Sequence, residues 1–309
     1  MNKIAIIGTG RVGESTAQIL AKEELSRELV LLDINEGVPQ GIALDIQESA
    51  PLFGFDTRLS GATDPAAMEG AELVIVTAGL PRKPGMSRSD LLDANVAIVT
   101  PIIENIKRHA PQAIIIMVSN PVDVLTYHAW KLSGWDRCRV FGLSGVLDAA
   151  RMASFIALET GFSVRDIATL VMGGHGDAMV PMLRYSHIGG IPVDHFLAPE
   201  TMARIVEHTR KGGAEILALK QSSSAYDSPA ACIATMADAV RRNRRRILPC
   251  VAILDGEYGQ HEIAMGVPAV LGATGLEQVV ELPLSAEESA QIQASADMVR
   301  GDLERLGTR

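Results

Sequence analysis

Residues 4–13 read IAIIGTGRVG. Four aliphatic residues run without a polar break into three glycines, Gly8, Gly10 and Gly13, spaced G-x-G-x-x-G. A continuous apolar run of this kind suits a strand buried on both faces, and the pattern near 12–23 is helical. Alone, the glycine spacing is a weak signal. Here it stands between a strand and a helix, and Asp33 closes the next aliphatic run, ELVLLD at 28–33. That is the context a dinucleotide-binding turn requires. Gly8 permits the tight turn, Gly10 lets a pyrophosphate approach the backbone, and Gly13 lets helix and strand pack closely. The helix N-terminus then faces the phosphates. Asp33 can accept hydrogen bonds from ribose hydroxyls, and its charge would repel a 2′-phosphate, so the expected cofactor is NAD. Thr9, Arg11 and Val12 complete the cofactor loop.

Working outward, ELVIVTAG (72–79), AIIIMVS (113–119) and RVFGLSG (139–145) read as further strands, with helical segments near 39–48 and 89–109. Such alternation predicts a parallel sheet covered by helices on both sides. The expected class is α/β: a Rossmann doubly wound sheet over residues 1–145, followed by a mixed α+β catalytic domain over 146–309. The texture changes after residue 145. A helical pattern at 147–160 leads into ATLVMGGHGD and RYSHIGGIPVD, then two more long helices and a hairpin-like region at 247–272. Ser285 with Glu288 forms a capping box that marks a last helix starting near 286.

At 309 residues the chain suits about two domains. Its net charge of −9 argues against nucleic acid as a partner, because phosphate binding needs a basic face. The one basic run, RRNRRR at 241–246, follows a helical pattern and reads as a solvated helix end, where cations are favoured. Three scattered cysteines (Cys138, Cys232, Cys250) support neither a disulfide framework nor a structural zinc, and no metal is expected. No stretch approaches the ~18 apolar residues of a membrane span, and the apolar run at the N-terminus is too short for a signal peptide. A cytoplasmic protein is expected.

Three other stretches carry chemistry. PRKPGMSRSD (81–90) crowds Arg82, Lys83 and Arg88 into a segment framed by prolines and a glycine. GVLDAAR (145–151) sets Asp148 and Arg151 three apart, on one face of a helix. GGHGD (173–177) places His175 between glycines at the end of an apolar run, where a ligand can come close. Taken singly, each has a plain structural reading: a surface turn, a surface salt bridge, a core histidine.

Together with GTGRVG, Asp33 and SNPVD (119–123), in this order, they resemble the 2-hydroxyacid dehydrogenases of the lactate/malate family over essentially the whole chain. The likeness is nearest to the malate-oxidising branch that shares the lactate dehydrogenase architecture. It implies reversible NAD-dependent oxidation of (S)-malate to oxaloacetate, a step of the tricarboxylic acid cycle. His175 would be the general acid and base, Asp148 would hold its ring, and Arg151 would grip the substrate's C1 carboxylate. Residues 81–90 would be a lid, with Arg88 polarising the reacting carbonyl. Arg82 would choose a dicarboxylate over lactate or pyruvate, since burying an arginine against a methyl group costs roughly 3–5 kcal/mol. Asn120 would touch substrate and nicotinamide, Asn95, Val118 and Ser119 the cofactor, and Ser224 the substrate. The resemblance also implies a homo-oligomer, a tetramer before a dimer. A lactate or broad 2-hydroxyacid dehydrogenase is the neighbouring alternative. A non-catalytic NAD-binding sensor is the alternative from another class, and it would need none of His175, Asp148, Arg88 and Arg151.

Overall fold

The computed structural model describes residues 1–81, 88–221 and 223–307. The expectations for Arg82 and Lys83, and for the side chain of Arg88, lie outside the described residues. Two compact units are present: Met1–Leu143 with Tyr226–Arg246 and Val270–Gln278, and Ser144–Ala225 with Ile247–Ala269 and Val279–Arg309. The chain therefore passes between the units more than once, where a single crossing near 145 was expected.

In the first unit the order is β1 (Lys3–Ile7), α1 (Arg11–Lys22), β2 (Glu28–Leu32), α2 (Val38–Glu48), a short α3 (Ala50–Phe53), β3 (Arg58–Ala62), β4 (Leu73–Val76), α4 (Arg88–His109), β5 (Ile114–Met117), α5 (Val122–Ser133) and β6 (Val140–Gly142). The strands lie in the order β3-β2-β1-β4-β5-β6 and every pairing is parallel. Apart from Lys3 at the start of β1, the residues of β1, β4 and β5 are apolar and buried, as strands covered on both faces must be. The sheet winds outward from β1 in both directions, so β1 and β4 meet at the switch point, where ligands of such sheets bind. β3 escaped the sequence reading because RLSGA has no apolar run. Its place is set instead by Gly61, where a Cβ would collide with the Pro39 carbonyl of α2.

In the second unit are α6 (Gly145–Thr160), β7 (Ile167–Ala168), β8 (Val171–Gly173), β9 (Met179–Pro181), β10 (His187–Ile188), β11 (Ile191–Pro192) and α7 (Pro199–Lys220). The chain continues through α8 (Asp227–Arg241), β12 (Arg246–Asp255), β13 (His261–Gly272), β14 (Gly275–Val279) and α9 (Ala286–Gly307). β13 pairs antiparallel with β8, and β8 with β9. A core of Met152, Ile156, Val171, Met179, Met202 and Ile205 joins α6, α7 and the β8–β9 hairpin. α9 begins where its capping box sets it: Ser285 N–H donates to Glu288 Oε2 at 2.7 Å, and Glu288 N–H donates to Ser285 Oγ at 3.1 Å.

α8 belongs to the first unit and packs against α1; among its buried residues are Ala230, Ala234 and Ala237. This explains a departure at the basic run. Arg241 and Arg242 donate to the carbonyls of Leu25 and Glu23 just beyond α1, Arg242 and Arg244 pair with Asp238, and Arg245 pairs with Glu277. The run is a tether as well as a helix end.

Candidate active site

In the first unit the three glycines separate cleanly by what surrounds them. Gly8 has φ +99° and lies against the Ala78 backbone, and a Cβ on Gly13 would run into the Gly8 carbonyl. Both are glycine because protein crowds them. Around Gly10 a Cβ would meet nothing within 4 Å, and Gly10 starts α1 with no side-chain cap. The open space and the uncapped amides of the first turn fit a bound pyrophosphate. Arg11 is exposed and 3.9 Å from Glu14. The Val12 carbonyl accepts the Thr16 hydroxyl.

Asp33 is held from both sides. Thr9 donates its N–H (2.8 Å) and hydroxyl (3.0 Å) to Oδ2, and Asn35 donates its N–H (3.1 Å) and side-chain amide (2.9 Å) to Oδ1. Partial burial pushes the carboxyl pKa up, but these four bonds favour the anion more, and the net shift is downward. The group is therefore a fixed anion at the end of β2. Thr9 fixes Asp33 from one side, and Asn35, which the sequence reading missed, fixes it from the other.

Asn95 is buried and committed to backbone. Its Oδ1 accepts Leu80 N–H at 2.7 Å, and its amide donates to the carbonyls of Asn120 (2.6 Å) and Leu80 (3.2 Å). What remains for a ligand is the second lone pair of Oδ1. Ser119, also buried, donates to Ala78 O at 2.5 Å, and Val118 N–H bonds Val76 O. These bonds fasten the segments after β4 and β5, and the Asn120 side chain follows them at the surface, before a cis Asn120–Pro121 bond.

In the second unit, α6 buries Asp148 completely. Its Oδ2 lies 2.9 Å from His175 Nδ1, and its Oδ1 accepts Arg151 Nη1 at 3.2 Å. The i,i+3 spacing read from sequence thus becomes a three-residue array rather than a surface pair. A buried carboxylate needs such partners. His175 stands between Gly173 and Gly176, both at positive φ, with its side chain 22% exposed. One further residue holds this turn. Ser295 Oγ, on α9, accepts Gly174 N–H at 2.8 Å and donates to Ala178 O at 2.7 Å, so it brackets His175. No sequence signal near the histidine announces Ser295, which is more than a hundred positions away. Ser224 is exposed beyond the end of α7, and among the described residues no hydrogen bond joins it to the array.

The array combines a ring with an oriented proton-bearing nitrogen, an anion that fixes it, and a guanidinium for a carboxylate. It can move a proton to or from the oxygen of a bound small acid. Among the described residues no group of His, Cys, Asp and Glu could hold a metal ion, and no helix is long and apolar enough to cross a membrane.

Residues 2–142 match the family described as lactate/malate dehydrogenase, NAD binding domain, and residues 145–307 its alpha/beta C-terminal domain. The malate dehydrogenase of Thioalkalivibrio sulfidiphilus is 65% identical over 306 residues, 99% of this chain and 100% of the relative. Among solved structures, the malate dehydrogenase of Salinibacter ruber superposes with a TM-score of 0.95 at 44% identity, covering 99% of this chain and 98% of its own. A lactate dehydrogenase of Cryptosporidium parvum, complexed with lactic acid and nicotinamide adenine dinucleotide, gives 0.96 at 37% identity, covering 100% and 98%. The backbone is common to enzymes of both substrates, so the choice of substrate lies in side chains.

Proposed function

The chain belongs to the lactate/malate dehydrogenase family, and from that premise we propose the reaction its geometry supports best: reversible NAD-dependent oxidation of (S)-malate to oxaloacetate. The observation that carries the chemistry is Asp148 bonded at once to His175 and Arg151. In oxidation His175 takes the proton of the C2 hydroxyl, and Asp148 stabilises the imidazolium that results. In reduction His175 returns that proton to the carbonyl oxygen. Arg151 holds the C1 carboxylate through the donors that Asp148 does not engage. NAD, when bound, supplies the hydride acceptor. Gly8, Gly10 and Gly13 with the start of α1 would cradle its pyrophosphate, and Asp33 its adenosine ribose.

Further roles complete the reading. Arg82 pairs with the second carboxylate, Arg88 polarises the carbonyl, Asn120 orients substrate and nicotinamide, Asn95 and the 118–119 segment support the cofactor, and Ser224 approaches the substrate. Residues 1–145 serve the cofactor and 146–309 the substrate. The protein works in the cytoplasm within the tricarboxylic acid cycle, as a homotetramer.

Initial rates with NADH and either oxaloacetate or pyruvate test the assignment. Oxaloacetate is expected to win by about 10²–10³-fold or more in kcat/KM, the discrimination from an unpaired buried arginine. Arg82→Gln is expected to shift the ratio toward pyruvate. A wild-type preference for pyruvate would instead assign a lactate or broad 2-hydroxyacid dehydrogenase. No turnover of any small keto acid despite NADH binding would leave a coenzyme-binding sensor.

A further inference from the structure

The carboxylate of Asp33 has about four acceptor positions, two on each oxygen, and protein donors take all of them. A ribose hydroxyl therefore bonds this carboxylate in exchange for one of those donors. They are not equally replaceable. Thr9 is buried, and both its N–H (2.8 Å) and its hydroxyl (3.0 Å) reach Oδ2. Losing either would leave a buried donor without a partner. The Asn35 N–H, 3.1 Å from Oδ1, is main chain, and the Asn35 carbonyl is itself held by Val38 N–H at the start of α2. The Asn35 side-chain amide, 2.9 Å from Oδ1, belongs to an exposed residue. It alone can turn away by side-chain rotation into water, with the backbone left in place.

We propose that the Asn35 side-chain amide is an exchangeable partner of Asp33, displaced by a hydroxyl of the coenzyme's adenosine ribose, and that it limits how tightly the coenzyme is held. The proposal rests on the reading of Asp33 as the ribose ligand. Each bond the ribose gains at Oδ1 is offset by the one Asn35 gives up, so Asp33 contributes less affinity than a carboxylate with a free position would. The same amide can take Asp33 back when the coenzyme leaves. That suits a reaction in which coenzyme must depart at every turnover, because release steps limit many enzymes. Asn35 thus acts against coenzyme binding, opposite in sign to a residue that merely orients Asp33.

Fluorescence titration with NADH, together with Tm, compares wild type, Asn35→Ala, Asp33→Ala and the double variant in the full chain. Asn35→Ala is expected to bind NADH about three- to tenfold more tightly, with Tm near wild type. In the Asp33→Ala background the same change is expected to have no effect, because the competition is for that carboxylate. Unchanged or weaker binding by Asn35→Ala overturns the inference, since removing a merely orienting residue loosens the site. A tightening that persists without Asp33 overturns it as well. If Asp33→Ala binds NADH as wild type does, the ribose role of Asp33 fails. If Asp33→Ala binds far more weakly while Asn35→Ala matches wild type, only the inference about Asn35 fails.

Discussion

Two glycine-rich turns close two strands of this molecule, and they are built on opposite plans. The turn after β1, Gly8–Gly13, offers backbone: amides at a helix start, and an emptiness at Gly10. The turn after β8, Gly173–Gly176, offers one side chain, His175, held between glycines at positive φ. The first is secured by near neighbours in the sheet, chiefly the Thr9–Asp33 bonds and the Thr77 hydroxyl donating to Gly8 O at 2.6 Å. The second is secured from a distance, by Asp148 on α6 and Ser295 on α9. Binding a phosphate asks only for main-chain geometry, which spacing encodes. Placing a proton donor asks for packing that converges from several elements.

The largest effect expected from this contrast is at the histidine. His175→Asn should lower kcat by about 10³-fold or more, the range of a lost general acid–base, while NADH titration shows unchanged affinity. A variant with near-normal rates would remove His175 from the mechanism. Next, the last and the middle glycine of the turn after β1 should part company. Gly13→Ala forces a methyl group into the Gly8 carbonyl and should cost roughly 2–3 kcal/mol in denaturant unfolding. Gly10→Ala, with open space around it, should unfold like wild type yet lose NADH affinity. Equal destabilisation by both would erase the distinction between crowded and vacant glycines.

A smaller effect tests the distant support. Ser295→Ala leaves Gly174 N–H and Ala178 C=O without their shared partner, a loss of about 1–3 kcal/mol. Since the turn carries His175, kcat should fall more than the KM of oxaloacetate rises, and Ser295→Thr should recover part of it. Smallest is Asp33. Asp33→Ser should relax the preference for NADH over NADPH by about tenfold, measured as a ratio of kcat/KM values. Because its pKa is held below the usual carboxylate range, that wild-type preference should stay level from about pH 8 down to about pH 5. The sign for stability follows: the contribution of Asp33 is complete above the ordinary carboxylate range and disappears as pH falls through its lowered pKa.

This contrast also explains what could be read before any coordinates. Strands β1, β2, β4, β5 and β6 were legible because buried parallel strands are unbroken aliphatic runs, and α9 because Ser285 and Glu288 cap it reciprocally. β3 and the membership of α8 in the first unit were not, since a sequence written in short-range patterns does not record which face a strand or helix meets. The pairing of Asp148 with Arg151 followed from helix periodicity, and His175 stood out by its glycines. Asn35 and Ser295 were silent, because each acts through a contact whose partner lies elsewhere.

The most direct measurement is the pH dependence of kcat/KM in both directions. On the proposed mechanism malate oxidation needs His175 unprotonated and oxaloacetate reduction needs it protonated, so the first should rise and the second fall with pH through one shared ionisation. Two flat profiles, or two that move in the same direction, would contradict a single histidine as the carrier of the proton.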